Sequence, residues 1–236
     1  YRNNVIYNWG NTNSAYGGEA TDINIVNNYY KPGPATKESL KERIYAPGKK
    51  TEDDGSGRFV NIIGQYGRIF VEGNYVHGSA RTIDDNWTYG IQGVSAAEKA
   101  AMKRTAPFSF EPITEHSAQV AYERVLSHAG ASFRRDAIDT RVVGEVRSGT
   151  FTYKGSNGST KGIIDSQNDV GAWCALENLP APLDSDSDGM PDAWETANGL
   201  NPKSATDRNG KTLSSAYTNL EVYLSAIVER ITTAQR

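Results

Sequence analysis

The 236-residue sequence has one cysteine, Cys174, and only three histidines. A single cysteine excludes an intrachain disulfide and a cysteine-based zinc site. His77, His116 and His128 lie far apart and in different expected elements. They offer no metal spacing and no Ser/His/Asp arrangement, and neither a G-x-S-x-G elbow nor a Walker loop is present. A basic excess is lacking too. With 25 basic and 28 acidic residues the formal net charge is −3, which argues against sequence-independent nucleic-acid binding. No apolar run approaches the roughly 20 residues of a membrane helix. The chain opens YRNNVIYNWG, without Met or an apolar leader. Val5, Ile6, Tyr7 and Trp9 among Asn3, Asn4 and Asn8 suit a strand running into a turn. The expectation is a polypeptide that starts inside buried structure, one that a cut or cleavage has separated from a preceding half.

Glycine, asparagine and tyrosine are what the chain does contain, with 23 Gly and 13 Tyr. Asn3-Asn4-Val5-Ile6-Tyr7, Asn27-Asn28-Tyr29-Tyr30 and Gly73-Asn74-Tyr75-Val76 share an Asn followed by β-formers. The spacing is 24 residues and then about two such periods, in the range of solenoids. Short strands ending in Asn suggest a parallel β-helix. Asn tolerates the tight bend, and stacked Asn side chains can hydrogen-bond from coil to coil. A small antiparallel sheet with Asn turns is the competing reading.

The expected class is mainly β, with the C-terminal coils of the helix over residues 1–93. Residues 31–58 form a long inserted loop, opened by Lys31-Pro32-Gly33-Pro34, which cannot continue a strand. KESLKER within it predicts a charged helical turn, and FVNII and RIFVEGNYV predict strands at 59–63 and 68–76. Residues 94–183 predict a helical and extended wrapping segment. Ser95 and Glu98 form a capping box before AAEKAAMKR. AQVAYERVLSHAG carries an apolar stripe and ends at Gly130. Asp136 caps AIDTRVVGEVR, with Ile138, Val142, Val143 and Val146 expected inward. ILE164–ASP169 reads as a turn. Residues 184–236 predict a calcium loop followed by a helix capped at Thr218, its stripe formed by Leu220, Tyr223, Leu224, Ile227 and Ile231.

That loop is the clearest motif. DSDSDGMPDAWE puts carboxylates at positions 1, 3, 5, 9 and 12 of an EF-hand loop and Gly at 6. The expected ligands are Asp184, Asp186, Asp188, the Met190 carbonyl, Asp192 and Glu195. Ca²⁺ takes several hard oxygens, which alternate residues of a tight loop supply. Leu179-Pro180-Ala181-Pro182 excludes an entering helix, so the ion's expected role is structural. Asp207-Arg208-Asn209-Gly210 does not scan as a second loop.

YRNNVIYNWG, SAYGGE, INIVNNYYKPGPAT, VEGNYV, DDNWTYGI, GIIDSQNDVGAW and DSDSDGMPDAWETANGLNP resemble the C-terminal half of bacterial secreted pectate lyases of polysaccharide lyase family one. The resemblance implies a right-handed parallel β-helix with a C-terminal extension. It implies secretion, to the periplasm, the bacterial surface or beyond. It also implies β-elimination on polygalacturonate, in which an arginine abstracts the C5 proton while Ca²⁺ bridges substrate and protein carboxylates. The family's Arg-x-Pro-x-x-Arg-like segment has no counterpart here, so no catalytic residue is assigned. That base and the catalytic calcium are expected on an N-terminal half, which could remain as a noncovalent partner. The resemblance implies a far cleft wall of Tyr7, Trp9, Tyr16 and Lys31, with Lys37 and Arg43 on the long loop, because uronates need cations for carboxylates and rings for sugar faces. Two alternatives stand beside it: a calcium-stabilised, non-catalytic module that binds acidic polysaccharide, and another lyase or hydrolase on the same scaffold.

Overall fold

The bend residues organise the N-terminal parallel strands. A computed structural model describes residues 1–235. In it Asn3, Asn27 and Gly73 have φ of 53°, 54° and 66°, the left-handed region that Asn and Gly tolerate best. An asparagine follows each of them: Asn4, Asn28 and Asn74. Each pair opens a strand, namely β1 (Val5–Tyr7), β4 (Tyr29–Lys31) and β7 (Tyr75–Val76). These three form one parallel sheet in the order β1-β4-β7, with Val5 opposite Tyr29 and Tyr29 opposite Tyr75. Before the bends lie β3 (Ile23–Val26) and β6 (Ile69–Glu72), parallel with Ile23 opposite Ile69. Further strands, β2 (Tyr16–Gly17) and β5 (Ala46–Pro47), make a third parallel sheet. All strand pairings among the described residues are parallel, which removes the antiparallel alternative.

The four asparagines Asn4, Asn28, Asn74 and Asn86 form a ladder. Asn28 Oδ1 accepts from Asn4 N and Nδ2 at 3.0 and 2.9 Å. Asn74 Oδ1 accepts from Asn28 N and Nδ2 at 3.0 and 2.8 Å. Asn86 Oδ1 accepts from Asn74 N and Nδ2 at 2.8 and 3.1 Å. The side chains of Asn28, Asn74 and Asn86 therefore each satisfy the backbone N–H of the rung before, where a bend would otherwise bury it unpaired.

Strand parity divides the core in two. Tyr30 points between the sheets and packs with Ile25, Ile44, Ile69, Val76, Ile91 and Met102. Tyr29 points the other way, between Tyr75 at 4.9 Å and Tyr122 at 4.3 Å. Tyr122 belongs to α3 (Ala118–His128), which with α4 (Ala137–Ser148) lies over that outer face. The short helices α1 (Ala80–Asp84) and α2 (Ala96–Met102) follow the last strand, and α2 carries the expected Ser95–Glu98 capping box.

Some expectations change. Residues 59–63 are not a strand: Val60–Ile62 is a 3-10 turn, and Ile63 makes only an isolated bridge to Lys50. No neighbouring strand offers this stretch a ladder, and Val60 and Ile63 stay exposed. KESLKER gives one 3-10 turn, Glu38–Leu40. On α4 only Val146 is buried and Val143 partly so, while Val142 is exposed. Residues three apart share a helix face, and the adjacent position is turned away from it.

The chain divides into two compact units. One comprises residues 1–131 and 135–174, and the other residues 132–134 and those from 175 onward. In the second, α5 (Asp192–Ala197) follows the acidic loop and α6 (Asn219–Ala234) starts at a Thr218–Glu221 capping box. Trp194 packs on Tyr223 at 5.0 Å. Leu224 and Ile227 of the expected α6 stripe are exposed.

Candidate functional site

The acidic loop of the second unit folds on its own backbone. Gly189, at φ 98°, makes the sharp turn. Asp184 accepts from Asp188 N at 3.2 Å and Gly189 N at 3.0 Å. Asp188 Oδ1 accepts from Met190 N at 2.8 Å. The first turn of α5 then carries Glu195 into the loop, fully buried. Two groups of carboxylates converge there: Asp184, Asp186 and Asp188, and also Asp188, Glu195 and Asp207, with their oxygens within 4.8 Å of one another. Asp207 comes from the 3-10 turn Asp207–Asn209.

Both oxygens of Asp186, both of Glu195, Asp188 Oδ2 and Asp207 Oδ1 are buried without a hydrogen-bond partner. Uncompensated buried carboxylates are costly, and the strain appears in their proton affinity. Loss of water, then the charges of Asp188, Asp186, Asp207 and Asp192, push Glu195 up to about 7. Asp186 is raised for the same reasons, desolvation first and then Asp188. Asp184 is lowered, chiefly by the Gly189 N–H. This oxygen-only donor set could hold a metal ion and fits a hard cation.

The expected ligands divide. Asp184, Asp186, Asp188 and Glu195 come together, and Met190 is buried beside them in the chain. Asp192 does not join the groups. Its oxygens accept from Ser185 N at 2.7 Å and Ser185 Oγ at 2.6 Å, closing the loop instead. Asp207 is the residue that sequence reasoning missed. Its only sequence signal was a degenerate D-x-N-G fragment.

The expected cleft residues also divide. Lys31 is buried, and its ammonium donates to the Arg147 carbonyl at 2.9 Å and the Tyr122 hydroxyl at 3.2 Å. Strand parity explains this: Lys31 shares the face of Tyr29, which α3 and α4 cover. The expected substrate cation thus has its ammonium engaged inside the protein. Its register partner Tyr7 is half-buried and donates to the Thr150 carbonyl at 2.6 Å. Trp9, Lys37 and Arg43 converge on residues 9–13. Trp9 packs edge-on to Tyr30 and lines a cleft of about 660 Å³ with Gly10, Thr12, Asn157 and Lys161. Lys37 is exposed, and its backbone N–H bonds the Gly10 carbonyl at 3.0 Å. Arg43 is committed to the Thr12 carbonyl, Asn13 and Gln92. Tyr16 stands apart on β2, 76% exposed.

Asn8 assembles this cleft. Its Nδ2 donates to the Lys161 carbonyl at 2.9 Å, and its Oδ1 accepts from Ala35 N at 2.7 Å. Residues 157–161 are held in turn by Asp165, which accepts from Asn157 N and from Ser159, and the stretch expected as a turn leads into a 3-10 helix, Gln167–Val170, capped at Ser166. A second hollow of about 620 Å³ has mixed charge: Arg81 pairs with Glu42, and Lys41 with Glu38.

The chain is similar to fungal proteins named probable pectate lyase C. Probable pectate lyase C of Aspergillus fumigatus is 28% identical over 231 residues, covering 97% of this chain and 48% of the relative. The Aspergillus flavus protein of the same name is 28% identical over 233 residues, with the same coverage. That of Emericella nidulans is 27% identical over 230 residues, covering 97% and 47%. The chain therefore spans about half the length of the curated relatives it matches. These relatives are fungal, whereas the sequence motifs suggested bacterial ones. No protein-family model matches the chain. The similarity supports a pectate lyase-like relationship. No helix among the described residues is long and apolar enough to cross a membrane.

Proposed function

We propose that this chain is the C-terminal part of a secreted pectate lyase-like enzyme that cleaves polygalacturonate, or a related acidic polysaccharide, by calcium-assisted β-elimination. The observation that carries this reading is the likeness to proteins named probable pectate lyase C along 97% of the chain. The parallel sheets β1-β4-β7 and β3-β6, joined at bends that carry one asparagine ladder, support the finer reading of the fold as coils of a right-handed β-helix.

On this reading the cleft beside residues 9–13 is the chain's contribution to substrate binding. Trp9 offers a ring for a sugar face in the cleft, and Tyr16, apart from it on β2, offers a second, exposed one. The exposed Lys161 on the cleft wall and the exposed Lys37 beside it offer cations. Arg43 holds the 12–13 turn in place. The arginine base and catalytic calcium ligands of the family motif match no residue of this sequence, so their place is on the remainder of a longer protein. When bound, that calcium would acidify the proton to be abstracted. The loop at 184–195 is read as a separate, structural calcium site, filled at the millimolar calcium found outside cells.

The test measures unsaturated uronide from polygalacturonate, with this chain alone and joined to any residues encoded upstream. Cleavage by the longer protein and none by this chain is the expected result. Binding of polygalacturonate without cleavage by either would favour the non-catalytic polysaccharide-binding module. Neither binding nor cleavage by either would overturn both readings.

A further inference from the structure

We propose that the calcium site is split between two segments, with Asp207 as a ligand in the place that the loop pattern gives to Asp192. This rests on the reading of residues 184–195 as a calcium loop and changes its ligand set. Asp207 Oδ1 is buried and unpartnered, and it meets Asp188 and Glu195 within 4.8 Å. Glu195 is 0% exposed, and neither of its carboxylate oxygens has a partner. A fully buried, unpaired carboxylate facing two others is relieved by a cation or a proton, and this cluster of hard oxygens offers a cation several ligands at once. Asp207 Oδ2 accepts from Asn201 N at 3.0 Å, which fixes the carboxylate and leaves Oδ1 for the ion. Asp192, by contrast, has spent both oxygens on Ser185.

The second segment is tied to α6. The Asp207 carbonyl accepts from Asn219 Nδ2 at 2.9 Å, and Asn219 N donates to the Gly210 carbonyl at 2.8 Å. Asn219 Oδ1 accepts from Thr212 N and Leu213 N at 3.1 and 3.2 Å. Calcium bound this way clasps the acidic loop to the start of α6. A contiguous loop could not do that.

The experiment is calorimetric titration of CaCl2 into the whole chain for wild type, D207N and D192N, with melting in chelator as a second measurement. An Asn at 192 can still accept from Ser185 N and donate to Ser185 Oγ. D192N should therefore keep the affinity within about threefold, and D207N should weaken it by about tenfold or more, the scale of losing a charged oxygen ligand. In chelator D207N should melt no lower than wild type, because it removes one charge from a repelling cluster. Affinity lost in D192N and kept in D207N would overturn the split site and restore the contiguous loop. A lower melting point of D207N in chelator would also overturn it, by giving Asp207 a role in holding the fold. Wild type taking up no calcium would instead sink the underlying calcium reading.

Discussion

Lys31 and Lys37 are six residues apart and chemically identical, yet the fold gives them opposite roles. Lys31 ends β4 on the face that α3 and α4 cover, and its ammonium lies 5.4 Å from the Tyr122 ring centre. Lys37 projects from the long loop into solvent. Lys31→Ala should cost about 1–3 kcal/mol in chemical denaturation, since it leaves the buried Tyr122 hydroxyl and the part-buried Arg147 carbonyl without this donor. Lys37→Ala should leave stability within about 0.5 kcal/mol and, in the full-length enzyme, raise KM for polygalacturonate. The type of residue was readable from sequence, but its destination was not. Lys31 meets Tyr122, 91 positions away, only because strand parity and a helix from a later segment coincide. The same holds for Asp192 and Asp207. A position in a pattern does not say which carboxylate a nearby serine will capture.

Among the elements, the asparagine ladder was legible and the 59–63 stretch was not. Asn4, Asn28 and Asn74 repeat at 24 and then 46 residues, the offsets of the paired strands, whereas the fourth rung, Asn86, lies 12 residues after Asn74 and off that repeat. FVNII has the composition of a strand but meets no free strand edge, and composition cannot supply a partner. Asn74 is the central rung, 1% exposed. It takes two donors from Asn28 and gives its amide to the Ile25 carbonyl and Asn86. Asn74→Ala should destabilise the first unit by about 2–4 kcal/mol, because buried donors on two coils lose their acceptor or donor together. Urea melts of this variant beside Asn4→Ala, a half-exposed end rung, check this. Equal losses at both positions would deny the ladder its cooperativity.

For the whole molecule, the division at residues 174–175 separates the parallel coils from the metal-binding candidate. Calorimetry should show two transitions, with calcium moving only the one reported by Trp194 against Tyr223. At about a hundred times the dissociation constant the added stability is about 2.7 kcal/mol, or roughly 10–20 °C for so small a unit. Movement of both transitions would place a calcium-dependent element in the coils too. By itself, the sequence determined what periodicity and spacing encode: the repeat of the coils, the helix caps at Ser95, Asp136 and Thr218, and an oxygen-rich loop suited to a hard cation. The tertiary structure alone decided which side chains are spent inside the protein. It buried Lys31, engaged Arg43, turned Asp192 to Ser185 and carried Asp207 to Glu195. Those outcomes depend on segments far apart in the chain meeting at one point, and local pattern does not carry that information.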